Sequence, residues 1–147
     1  MVWHIFCTVG GERQNLLANA YHIWYNPIME PNKRIQVVFF RTPAGNEPVR
    51  QWLKDMPIGD KKQIGEDIKM IEFSWPVGLP RVRKLDADLW EVRSILPGRI
   101  ARVIFTIWKQ HMVLLHGFIK KNQKTPQDEL ELAKRRRDEV LKGGIPL

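Results

Sequence analysis

The chain has 147 residues, of which 44 % are hydrophobic, and its 24 Lys and Arg outweigh 16 Asp and Glu for a formal net charge of +8. That length suits one domain with one core, and that apolar content excludes a wholly disordered polypeptide. The lone cysteine, Cys7, excludes an intramolecular disulfide and fits a reducing compartment, and no apolar run approaches the ~20 residues of a membrane-spanning helix.

Residues 1–30 hold Trp3, Tyr21, Trp24 and Tyr25 among Gly, Asn and His with no sustained periodicity. They read as an extension to a domain over residues 31–147, with Met29 as an alternative start and a short helix across Gln14–Trp24 as the ordered alternative. Nothing in MVWHIFCTVGG resembles a secretory signal. Arg34–Arg41 (RIQVVFFR) is β-branched and aromatic and predicts a strand. Asn46 is placed to N-cap a helix in which Val49, Trp52, Leu53 and Met56 share one face. Pro57 and Gly59 break it, and Asp60 opens a second helix with Ile64, Ile68 and Ile71 on one stripe, which predicts a helical hairpin.

Ser74–Pro80 (SWPVGLP) reads as a loop. Asp88–Ile95, Ile100–Trp108 and Met112–Ile119 follow as three strands with short turns, an antiparallel meander. The last helix takes Thr125 as N-cap and Pro126 at its first position, with Asp128 and Glu129 in its first turn, and Gly143-Gly144 ends it. The sum is an α+β domain: an antiparallel or mixed sheet of about four strands, two N-terminal helices and a C-terminal helix, with the helices on one sheet face.

Strand alternation sorts the side chains. Ala101, Val103, Phe105 and Ile107 should face the helices, while Arg102 points the other way with Ile100, Ile104 and Thr106. Glu91 and Arg93 share a face opposite Trp90 and Val92, so Arg93 and Arg102 rise from one side of the sheet, with Glu91 a possible ion-pair partner. Lys120, Lys121 and Lys124 crowd the approach to the last helix, whose N-terminal N–H groups add partial positive charge suited to phosphate. Arg83 and Lys84 join Lys120 and Lys124 as phosphate-binding candidates. A basic excess favours nucleic acid over an acidic protein or a membrane surface. His116 reads as a packed histidine, with acid–base work the alternative. Arg135–Arg137 reads as a solvated run that could extend a nucleic-acid footprint. No cysteine or histidine pattern fits a metal, and no phosphate-cradling glycine motif is present.

Three segments carry a resemblance: LWEVR (Leu89–Arg93), GRIARVIF (Gly98–Phe105) and LLHGFIKKNQKTPQDELELAKRR (Leu114–Arg136). From roughly Arg34 to Val140 the chain resembles the RelE/ParE toxin superfamily in its phage-derived HigB-like branch. The resemblance implies the toxin of a type II toxin–antitoxin system, a cytoplasmic, cofactor-free endoribonuclease that cleaves messenger RNA on the ribosome by 2′-hydroxyl attack on phosphate. It also implies a HigA-like helix–turn–helix antitoxin as partner. Carried onto this sequence, it gives Arg93, Arg102 and Lys121 catalytic, phosphate-directed roles. Two positions depart from it: Glu91 stands where RelE has lysine, and Gln127 lies near its functional tyrosine. The same fold also hosts ParE-like inhibitors of DNA gyrase and inactive phage remnants, so both stay open as alternatives.

Overall fold

The computed structural model describes residues 33–120 and 124–145. The expected extension over residues 1–30 lies outside them, and so does Lys121. Strand β1 (Gln36–Phe39) leads to helices α1 (Pro48–Lys54) and α2 (Ile58–Ser74). Strands β2 (Val82–Asp86), β3 (Leu89–Leu96), β4 (Arg99–Trp108) and β5 (His111–Lys120) follow, and then helix α3 (Gln127–Gly143). The strands form one sheet in the order β1-β5-β4-β3-β2, with β1 parallel to β5 and the other pairs antiparallel.

The sheet therefore has five strands rather than about four. The addition is β2, whose register with β3 slips between Lys84 and Asp86. Val82 lies in the core on one face and Leu85 against the other, but Arg83, Lys84 and Asp86 leave the segment too charged to be read as a strand from its apolar pattern.

Helices α1 and α2 cover one face, as the alternation requires. Val49 and Leu53 of α1 are buried, and Ile64, Ile68 and Ile71 of α2 are inaccessible to solvent. They meet Val37, Val92, Ala101, Val103, Phe105, Met112 and Leu114 from the sheet. Glu47 rather than Asn46 occupies the N-cap of α1, with Pro48 at its first position, and α2 starts at Ile58, two residues ahead of Asp60. Trp52 of α1 lies directly on the backbone of Gly117, where an added Cβ would stand 2.5 Å from the indole Cε3. Glycine permits that close approach.

Helix α3 packs on the opposite face, which corrects the expectation of helices on one side only. Ala133 and Val140 of α3 join Leu89, Ile104, Val113, Leu115 and Phe118 in a second core. The reason lies in the central strands: β4 and β5 are buried on both faces, and a strand of that kind needs a cover on each. Two arginines fasten the helix. Arg136 Nη1 donates to the Leu115 carbonyl at 2.7 Å, with its guanidinium 5.5 Å from the Phe40 ring centroid. Arg137 Nη1 donates to the Ala87 carbonyl at 2.8 Å and also faces Asp86. The Arg135–Arg137 run is thus not one solvated stripe; only Arg135 of the three is exposed.

Candidate nucleic-acid interface

The α3 face of the sheet carries the charged residues in adjoining cross-strand rows. In one row Arg83 of β2 stands opposite Glu91 of β3, which pairs with Ile104 of β4, and that residue with His116 of β5. In the next row Arg93 and Arg102 are direct partners, and Arg102 pairs in turn with Phe118. In the last row Ile95 pairs with Ile100, and Ile100 with Lys120. Exposure along these rows is uneven: Ile95 is 80 % exposed, Arg83 is exposed and Arg93 is half-buried, while Glu91, Arg102 and Lys120 are buried.

Like charges directly opposite one another on adjacent strands repel. Here Glu91 offsets them. Its side chain is wholly buried and takes an ion pair from Arg102 Nη1 on Oε1, while Thr125 Oγ1 donates to Oε2 at 2.9 Å. Arg102 is itself only 3 % exposed, and its Nε has no hydrogen-bond partner among the described residues. Burial lowers the proton affinity of the Arg102 guanidinium, Glu91 opposes that, and Arg93 and Arg83 lower it further. Lys120 is buried as well. Its ammonium is held below the usual lysine range first by desolvation and then by Arg102, with Arg93 and Arg83 adding and Glu91 opposing. Cations from four strands therefore share one field around a single carboxylate.

Thr125 does not cap α3. Pro126 holds the N-cap position, no side chain caps the helix, and the threonine hydroxyl goes to Glu91 instead. The bond ties the chain just ahead of α3 to the centre of the cluster and leaves Lys124 exposed beside it. His116 is half-buried, stacks on Phe118 with ring centroids 5.7 Å apart, and pairs through Nε2 with Glu129 Oε2 from the first turn of α3. Glu129, unremarked in the sequence except as a dipole-compensating residue, is the carboxylate that His116 lacked there. Lys84 is exposed on the opposite face, 5.9 Å from the Trp90 ring centroid, and does not join the cluster. The structure thus brings together Arg83, Glu91, Arg93, Arg102 and Lys120 and leaves Lys84 apart.

One family matches, described as Phage derived protein Gp49-like (DUF891), over residues 51–138. The chain belongs to this Gp49-like family. The matched span runs from α1 into α3 and takes in the whole cationic cluster. The Gp49-like proteins are a RelE/toxin-like family, in keeping with the α+β architecture of this chain. No curated protein matches the chain.

Proposed function

We propose that this Gp49-like protein is the toxin of a type II toxin–antitoxin pair. In this reading it is an endoribonuclease that cleaves translated messenger RNA by attack of a ribose 2′-hydroxyl on the adjacent phosphate. The observation that carries the proposal is the convergence of Arg83, Arg93, Arg102 and Lys120, from four strands, around Glu91 on the α3 face of the sheet. The transition state of such a cleavage gathers negative charge on phosphate oxygens. Preorganised cations in a partly desolvated site are the main catalytic requirement. Arg93 and exposed Arg83 and Lys124 are the groups set to meet RNA phosphates, whereas Arg102, held by Glu91, supplies positive potential from beneath. The carried-over role of Lys121 belongs to the same proposal. His116, bound to Glu129, takes a structural place between β5 and α3 in this scheme.

The test is to induce the protein in cells while mapping messenger RNA 5′ ends and measuring gyrase-dependent supercoiling. Codon-phased cuts in translated messages are the expected result. Intact messages with altered supercoiling would overturn the proposal in favour of a gyrase inhibitor. A HigA-like antitoxin encoded beside the toxin should suppress the cuts when co-expressed.

A further inference from the structure

Ile95, the most exposed large apolar side chain among the described residues at 80 %, stands beside the cationic cluster and has no place in the scheme above. A single isoleucine at the surface calls for no explanation, but this one is not alone. It pairs across β3 and β4 with Ile100, which is half-buried, one pair short of the turn between the two strands. Side chains directly opposed in this way stand about 5 Å apart at Cβ, so the two isoleucines make one apolar strip. The exposure of Ile95 follows from the topology. Strand β2 first pairs with β3 at Val82 and Val92, so no strand partner flanks Ile95 on that side. Alternation puts the strip on the face of Arg93 and Arg102, whose row lies two residues along each strand, about 6.7 Å away.

We propose that Ile95 and Ile100 seat one nucleobase of the RNA, that of a nucleotide adjoining the cut phosphate, an assignment that rests on the ribonuclease reading above. The charge around the strip selects this occupant. The apolar centre of a protein–protein interface is depleted of charged residues, whereas this strip has two arginines in the adjacent row. Single-stranded RNA offers the matching pair of surfaces, an anionic backbone and bases with flat apolar faces. With phosphates on Arg93 and exposed Arg83, the ribose bridges the rows and the base lies on the isoleucines, releasing water from both. Isoleucine has no hydrogen-bonding group in its side chain, so the seat holds a base by its face and does not read its edge. Removing the base, rather than exchanging it, is therefore the informative change.

The test is single-turnover cleavage, at protein concentrations below saturation, on ribosomes programmed with a defined message. Each nucleotide of the cut codon in turn carries its base or an abasic ribose. At one position the wild type should slow about tenfold without the base, the range for partial burial of one isoleucine side chain. Ile95→Ser should keep the wild-type melting temperature, because the position is exposed. It should cleave the intact message about tenfold more slowly and lose nothing further at the abasic position. A wild-type rate in Ile95→Ser, or two losses that multiply when combined, overturns the seat while the ribonuclease reading stands. So does a wild-type rate joined to escape from a co-expressed antitoxin, which would give the strip to a protein partner. A wild-type protein that cuts no message on these ribosomes overturns both.

Discussion

The Glu91–Arg102 pair makes the obvious site mutant a costly one. Arg102→Ala strips a wholly buried carboxylate of its counter-ion, and breaking a buried pair from one side costs about 3–5 kcal/mol. Urea denaturation should show a loss of that order. The double variant Glu91→Gln with Arg102→Met should recover much of it, since no uncompensated charge then remains. If Arg102→Ala alone leaves the midpoint unchanged, the ion pair as described is wrong. Loss of toxicity in Arg102→Ala would accordingly mix chemistry with stability, and the exposed Arg83 and half-buried Arg93 are cleaner probes. Alternation in LWEVR and RIARVIF made the shared face of Arg93 and Arg102 legible in the sequence, along with Glu91 as an ion-pair candidate. The partners Thr125 and Glu129 were not legible. Both sit in a helix-opening sequence where threonine and glutamate already have a local explanation, and only the docking of α3 redirects them across the sheet.

Among the elements, α1 and α3 hold the two faces by different means, and each invites its own test. Gly117→Ala would drive a methyl group into the Trp52 indole, a rigid neighbour, so overpacking should cost about 1–3 kcal/mol and lower the melting temperature. Pairing it with Trp52→Leu should relieve part of that loss. On the other face, Arg136→Met keeps the apolar stem but leaves the Leu115 carbonyl without its donor, at a cost of about 1–3 kcal/mol. Hydrogen exchange should then quicken in α3 ahead of α2. The stripes of α1 and α2 could be read from sequence because Val49 and Leu53, then Ile64, Ile68 and Ile71, repeat at helical spacing. The side chosen by α3 could not be read in the same way, although the predominantly apolar sequences of β4 and β5, on both alternating sets of positions, carry the signal. Such sequences mean burial on both faces, and one layer of helices cannot provide it. Strand β2 escaped for the opposite reason, its sequence VRKLD being too charged to show an apolar pattern.

For the whole molecule, the excess of positive charge makes the proposed association with RNA testable by ionic strength. Affinity should fall steeply with salt, and Arg83→Ala should lessen the slope of log affinity against log salt by about 1. An unchanged slope would remove Arg83 from the set of phosphate contacts. The parallel pairing of β1 with β5 reaches further than the site. Gln36 finds its partner only at His111, so the edge strand waits for nearly all of the domain to be made before it can dock. Lys120 closes the cationic cluster from that same late strand. A nascent polypeptide stalled ahead of residue 111 should therefore remain open to protease across residues 36–74, measurable by limited digestion of arrested chains. A domain assembled in this order gains its full cationic surface only once the final strand has emerged.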